Sequence, residues 1–183
     1  MSWLILGIAL WWAGHLFKRL APGARAALGA KGKALAAVVI LAGLVLMVIG
    51  YRSAPFEPVI APPAWGIHAN NALMLLAVFL VGLGHSKSPL RCHIRHPMLT
   101  GVFVWAAAHL LVNGDLASLV LFGSFLGWPV VEILLINARE PDWTPPEGGS
   151  TAGTLRLVLI TVVLYAVIAG IHIWLGHNPF SGA

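Results

Sequence analysis

Residues 95–128 read RHPMLTGVFVWAAAHLLVNGDLASLVLFGSFLGW, and this stretch decides the fold. A basic pair precedes Pro97, an apolar run follows, and a polar turn at residues 113–115 leads into a second apolar run. Two apolar runs joined by a tight turn predict two neighbouring helices, and His109 lies well inside the first of them. An ionisable side chain within a membrane helix is costly to bury, so His109 is a candidate functional residue.

The whole chain has the composition of a membrane protein. Hydrophobic residues make up 59% of its 183 residues and charged residues 9%, against about 25% charged in soluble domains. Backbone polar groups in lipid must pair internally, so the apolar runs predict helices. We expect an all-α bundle of about six transmembrane helices forming one domain, residues 1–183. The runs are 2–17, 34–51, 67–84, 98–112, 116–136 and 154–175, of which the first and fourth are short.

The basic residues predict the orientation of the bundle. Ten of the eleven Lys and Arg residues lie in or beside the first, third and fifth loops, and Arg52 is the exception. The positive-inside rule makes these loops cytoplasmic and places both termini on the outer side. The net charge of +5 then indicates contact with anionic lipid head groups. The sequence has no basic, aromatic surface of the kind that binds nucleic acid. Because Lys18 and Arg19 follow the first run, we expect it to be an uncleaved span.

Three residues of the fourth run predict a binding face. Gly101, Trp105 and His109 recur at intervals of four and are expected to share one side of a helix. Gly101 allows the close approach of a neighbouring helix or of a flat cofactor, and Trp105 supplies an aromatic wall. A neutral imidazole in a low-dielectric site suits a haem iron. A hydrogen bond across helices is the alternative account of His109.

Residues 91–128 closely resemble the NnrU family of small integral membrane proteins, and a looser similarity extends over residues 1–143. That family is associated with nitrite and nitric oxide metabolism in bacteria and is related to 15-cis-zeta-carotene isomerase, a haem b enzyme. The resemblance implies a multi-pass protein of the bacterial inner membrane, and the charge asymmetry then makes both termini periplasmic if the cell is Gram-negative. It also implies haem b, with His109 as an axial ligand. An isomerase for a lipophilic substrate and a non-enzymatic factor for a respiratory reductase are both consistent with it.

The same resemblance suggests the second iron ligand. The isomerase takes that ligand from an earlier helix, and the nearest match here is His15. By depth in the membrane, His172 on the last helix is the alternative. The isomerase can also use a cysteine three residues before its helical histidine. That position is Ala106 here, so this thiolate ligand is absent.

A second resemblance concerns the basic segment before the fourth run. Arg91, Arg95 and His96, followed by a proline, look like the Arg-His-Pro segment with which membrane methyltransferases, such as the isoprenylcysteine carboxyl methyltransferases, contact S-adenosylmethionine. We predict that Arg95 and His96 face the cytoplasmic mouth of a pocket and stabilise an anionic group there. Anchoring to lipid head groups is the alternative. The paired acidic motif and the aromatic-rich tail of those enzymes are missing, since only Glu132 and Glu140 are available.

Several other residues have structural interpretations. Cys92 is the one cysteine, so no disulfide within the chain is expected, and a free thiol is the simplest account of it. Gly114 is expected to end a helix in the left-handed conformation, and Asp115 is expected to cap the next one, with a catalytic role as the alternative. Glu132 is expected to snorkel or to pair with a basic loop residue, and a proton carrier is the alternative. The loop at residues 53–66 holds four prolines and is interpreted as a stiff connector over the outer face.

Overall fold

The computed structural model describes residues 1–181, and it confirms the predicted all-α bundle. Four of its helices are long and apolar enough to cross a membrane, namely Gly29–Arg52, Gly66–Leu83, Leu116–Arg139 and Thr151–Trp174. A short 3₁₀ helix, Pro89–Cys92, precedes the 14-residue helix Pro97–Leu110. The α-helices of the described residues are α1 (Ser2–Leu20), α2 (Pro22–Ala27), α3 (Gly29–Arg52), α4 (Gly66–Leu83), α5 (Pro97–Leu110), α6 (Leu116–Arg139) and α7 (Thr151–Trp174).

Helix α5 is shorter than the sequence predicts. It has 14 residues, or about 21 Å of helix, whereas the hydrocarbon core of a bilayer is about 30 Å thick. The amides of Leu111 and Val112 donate to the carbonyls of Ala108 and His109 in a tightened last turn, which closes the helix two residues early. His109 therefore lies in the last turn of α5, not well inside the helix.

The helices pack in the order α3–α1–α6–α5–α4–α7. A smaller core around Leu80, Leu83 and Leu157 joins α4 to α7. Much of the remaining surface of α3 and α7 is exposed and apolar, as expected of helices that face lipid. The main core lies between α1, α3, α5 and α6, and its buried residues are Leu4, Met47, Leu99, Ala106, Ala117, Phe122, Phe125 and Trp128.

Glycines bring α1 and α3 into backbone contact. A Cβ atom on Gly43 would lie 2.8 Å from the carbonyl oxygen of Gly7, and one on Gly50 would lie 2.6 Å from the Cα atom of Leu4. A Cβ atom on Gly7 would lie 2.5 Å from the amide nitrogen of Met47. Small residues at such positions allow membrane helices to approach closely and gain van der Waals contact. This contact fixes α1, and with it His15, against the bundle.

The proline-rich outer loop lies on the turn between α5 and α6. The amides of Val59 and Ile60 both donate to the carbonyl of Gly114 at 2.9 Å, and the amide of Leu116 donates to the carbonyl of Glu57 at 2.8 Å. A Cβ atom on Gly114 would overlap the carbonyl of Ile60. The expected left-handed conformation of Gly114 is wrong, because its φ is not positive and glycine is needed there for space.

The predicted cap of α6 is confirmed. Asp115 accepts a hydrogen bond from the amide of Ser118 at 3.0 Å.

The first, third and fifth loops meet at one end of the bundle. Arg19 bonds Glu140 at 2.6 Å, and Arg91 donates to the carbonyl of Glu147 at 2.6 Å. Arg52 lies at the last residue of α3, at the opposite end. The charge asymmetry in the sequence is therefore an asymmetry between the two ends of the fold, here termed the inner and outer ends.

Single-cysteine labelling tests the orientation of these ends in the cell. In a Cys92→Ser background, we expect a cysteine at exposed Ala30 to react only with a permeant maleimide. A cysteine at exposed Ala61 should react with an impermeant one from the periplasm, because the basic loops are retained in the cytoplasm. Labelling of Ala30→Cys by the impermeant reagent in intact cells would reverse the orientation.

Candidate functional site

Aromatic rings from α1, α5 and α6 form a continuous cluster in the main core. At one end His15 lies 4.3 Å from Trp11 and 4.7 Å from Trp128, measured between ring centroids. At the other end His109 lies 4.6 Å from Phe122. The aromatic cluster is defined by Trp11, His15, Trp105, His109, Phe122, Phe125 and Trp128.

The hydrogen bond of His109 fixes its proton. Its Nδ1 lies 2.9 Å from the carbonyl oxygen of Trp105. A carbonyl only accepts, so Nδ1 carries the proton, and the Nε2 of the neutral ring keeps a free lone pair. Histidines that bind metals are commonly oriented by such a bond from the other ring nitrogen. A histidine that binds no metal would gain from the same hydrogen bond. The bond is therefore compatible with metal ligation by His109 but does not require it.

His15 and His172 share this arrangement. Their Nδ1 atoms lie 2.9 Å from the carbonyl of Trp11 and 2.8 Å from that of Ile168. Each ring therefore presents an unprotonated Nε2 in its neutral form. Three membrane histidines, including His109, are thus oriented by their own helices, and each keeps an unprotonated Nε2 whose lone pair could bind a metal.

The three histidines lie at different depths. Arg19 and Arg95 both contact Glu140, so the inner ends of α1 and α5 are at about the same level. At 1.5 Å per residue, His15 is about 8 Å from that end and His109 about 18 Å, an offset of about 10 Å along the bundle. His172 is two residues from the outer end of α7.

Gly101 and Trp105 face different neighbours. A Cβ atom on Gly101 would lie 2.9 Å from the carbonyl oxygen of Ala77, so this glycine serves the close approach of α4. The ring of Trp105 packs against α6, with centroid distances of 5.2 Å to Phe122 and 5.4 Å to Phe125. Successive steps of four residues turn about 40° around a helix, so the predicted common face is divided between two partners.

Two indole groups of the cluster have unmet hydrogen bonds. The Nε1 atoms of Trp11 and Trp128 are buried and have no hydrogen-bond partner within the described chain, whereas Trp12 donates to Ser124 at 2.8 Å. Buried donors are normally paired, so the half of the cluster near His15 has capacity for an acceptor atom. The sequence identified these tryptophans as deep, but spacing alone gives no indication of where an indole nitrogen points.

Glu132 pairs with a basic residue, as predicted. Its Oε2 lies 3.9 Å from the Nε of Arg19, and the carboxylate is buried within α6. Arg19 also bonds the exposed Glu140 at 2.6 Å. One guanidinium therefore ties the inner end of α1 both to α6 and to the residue that follows α6.

The Arg19–Glu140 pair predicts a pH dependence. The protonated guanidinium of Arg19 donates a hydrogen bond to the Glu140 carboxylate. This bond lowers the pKa of Glu140. A lowered folded pKa stabilises the fold above the unfolded value of about 4.3, and that stability is lost as the pH falls through the folded pKa. Wild type should melt slightly higher than Glu140→Gln at neutral pH, and the difference should vanish in acid. A Tm difference that grows below about pH 4 would contradict this.

The predicted basic segment divides between two positions. Arg95 lines a cavity of about 100 Å³ with Arg91 and Trp143 and donates to the carbonyl of Glu140. The Nε2 of His96 lies 2.8 Å from the Oδ1 of Asn137 on α6. His96 therefore packs against α6, and Arg95 is the residue at the cavity.

A haem would need both an axial nitrogen ligand and a cavity large enough for the porphyrin. The two best-formed cavities hold about 200 and 100 Å³, and neither is lined by His15 or His109, whereas ligand pockets hold about 300–1,000 Å³. Within residues 1–181 no group of three or more His, Cys, Asp or Glu residues could hold a metal ion. The imidazole nitrogens fit an axial role. The packed aromatic rings leave no haem-sized space between His15 and His109.

Comparison with known proteins identifies a family. The model of a protein family described as NnrU protein matches residues 3–179. No curated protein and no solved structure matches the chain.

Proposed function

Because the chain belongs to the NnrU family, we propose that it is a haem b-binding protein of the bacterial inner membrane with His109 as an axial ligand. Its role would lie in nitrite and nitric oxide metabolism or a related redox process. The proposal rests on the likeness of residues 91–128 to a family related to a haem b enzyme. It is supported by a histidine that presents a free Nε2 inside a membrane bundle.

The bond between His109 and Trp105 is the observation on which the proposal depends most. It holds the ring in the tautomer that an iron requires and leaves the ring partly buried. Haem would supply redox chemistry or a binding site for a small oxide of nitrogen when bound. The protein would orient the imidazole, exclude water with Trp105 and Phe122, and keep the site in a low-dielectric region.

The second ligand is a choice between two histidines. His15 has the likeness to the isomerase in its favour, but the offset of about 10 Å along the bundle separates it from His109. His172 lies near the outer end, as His109 does. Neither of the two cavities described above adjoins any of the three histidines.

Two other functions remain as outcomes of the test. A membrane S-adenosylmethionine-dependent methyltransferase is favoured by the Arg95 cavity, although about 100 Å³ encloses only a small part of such a cofactor. A non-enzymatic factor that assembles with a respiratory reductase would need no cofactor. An isomerase acting on a lipophilic substrate is the enzymatic form of the haem proposal.

The absorbance spectrum of protein purified in detergent from haem-replete cells tests the proposal. We expect a Soret band and about one haem b per chain by pyridine haemochrome. Colourless protein that binds labelled S-adenosylmethionine would favour the methyltransferase. Colourless protein that binds neither and co-purifies with a reductase would favour the accessory factor.

A further inference from the structure

The cavity at the inner end has two cationic walls. It lies where α4 ends, α5 begins and the loop after α6 returns, and Arg91, Arg95, Trp143 and Pro146 line it. The ends of three helices and their basic loops meet there, so it opens at the level of the lipid head groups in the orientation proposed above. No residue of the aromatic cluster reaches it.

Neither arginine of the cavity forms an ion pair with a carboxylate of the described chain. Arg91 donates to the carbonyls of Ser86 at 3.4 Å and Glu147 at 2.6 Å, and Arg95 donates to the carbonyl of Glu140. The ion pairs among residues 1–181 both belong to Arg19. The carbonyls accept hydrogen bonds without cancelling a full charge, so two positive charges face one small cavity.

Arg91 also has unmet hydrogen-bonding capacity. Its Nε is buried and has no partner among the described residues. A buried guanidinium N–H is normally paired, so this one is a donor that the described residues do not satisfy.

The walls are held in place without a ligand. The amide of Ser150 donates to the carbonyl of Lys87 at 2.9 Å, and the hydroxyls of Ser88 and Thr154 lie 2.8 Å apart. A Cβ atom on Gly149 would lie 2.7 Å from the nitrogen of Pro89, so the loop and the 3₁₀ segment are in close contact. Binding would therefore cost little ordering of the chain.

Size and charge select the ligand. About 100 Å³ corresponds to roughly three water molecules, which is room for one oxyanion group and not for a nucleoside. Guanidinium forks match phosphate oxygens, and charge-assisted bonds of this kind are the stronger hydrogen bonds in proteins. A single carboxylate would engage only one of the two arginines well.

We propose that Arg91 and Arg95 form a binding site for a phosphate group, carried by an anionic phospholipid of the inner leaflet or by a soluble phosphate compound. The site does not depend on haem. Arg95 precedes α5, and His109 is about 18 Å further along that helix, so an iron at His109 and a phosphate in this cavity are separate occupants.

Two probes distinguish the sources of the phosphate. Delipidated protein in detergent is mixed with phosphatidylglycerol or phosphatidylcholine and examined by native mass spectrometry. Inorganic phosphate is titrated into the same protein by calorimetry. The test variant is Arg91→Gln with Arg95→Gln, and the matched control is Arg139→Gln, which removes an exposed cation at the same end.

We expect at least one probe to bind wild type and Arg139→Gln alike and to bind the double variant at least about tenfold more weakly. Retention of phosphatidylglycerol alone assigns the site to lipid, and binding of inorganic phosphate assigns it to a soluble ligand. If the double variant fails to fold, Arg91→Lys with Arg95→Lys keeps the charge and removes the forks, and weaker binding is again expected. Equal binding by Arg139→Gln and the arginine variants, or no binding of either probe to wild type, overturns the proposal.

Discussion

His109→Ala is expected to purify without a Soret band from cells in which the wild type is coloured. Loss of partners that merely orient a metal ligand costs about 10–100-fold in affinity, and loss of the ligand itself should cost at least as much. Haem content per chain, measured by pyridine haemochrome, is the readout. A spectrum unchanged in His109→Ala would return this histidine to a structural role.

Four further variants separate ligation from packing. His109→Phe keeps an aromatic ring against Phe122 but removes the nitrogen, so it should lose haem while it retains the fold. His177→Ala removes an exposed histidine near the outer end and should leave the spectrum unchanged. His15→Ala is expected to give a five-coordinate, high-spin spectrum if His15 is the second ligand. If His172→Ala does so instead, His172 holds that place.

Gly50→Ala is expected to lower the free energy of unfolding by roughly 1–3 kcal/mol, the usual cost of overpacking. The new methyl group would lie 2.6 Å from the Cα atom of Leu4 and 2.8 Å from the carbonyl carbon of Trp3. These are backbone atoms, so the two helices must separate to admit it. A denaturant titration in detergent micelles measures the change.

Gly170→Ala is the matched control for this substitution. Gly170 lies within another long apolar helix, and a Cβ atom there would have nothing within 4 Å. Alanine is favoured over glycine inside helices by about 0.5–1 kcal/mol, so this variant should be neutral or slightly more stable. Equal destabilisation by Gly50→Ala and Gly170→Ala would contradict the close contact of α1 and α3.

The helical content could be predicted from sequence because a long apolar segment in lipid must pair its backbone polar groups internally, as a helix does. The order of the helices could not, since it depends on which surfaces are complementary. Gly43 and Gly50 stand seven residues apart, as Gly7 and Gly14 do, but spacing alone does not identify the partner helix. The early end of α5 was also missed, because Leu111 and Val112 are apolar and continue the run.

The individual residues of the candidate site could be predicted from the sequence, but their positions relative to one another could not. His109 and Arg95 were identified from their chemistry, and the structure places them at opposite ends of α5. Trp143 was missed as a cavity wall, because it lies in a loop without periodicity. The free indole nitrogens of Trp11 and Trp128 depend on side-chain rotation, about which the sequence gives no information.

The shortness of α5 determines how the chain enters the membrane during synthesis. Apolar segments of 10–14 residues rarely span a bilayer alone, so α5 has to leave the translocation channel together with the 24-residue α6, as one helical hairpin. The outer loop is made earlier, but Glu57, Val59 and Ile60 have no partners until Leu116 and the carbonyl of Gly114 arrive. Docking of that loop is therefore a late step of assembly, and it secures a helix that lipid alone would hold poorly.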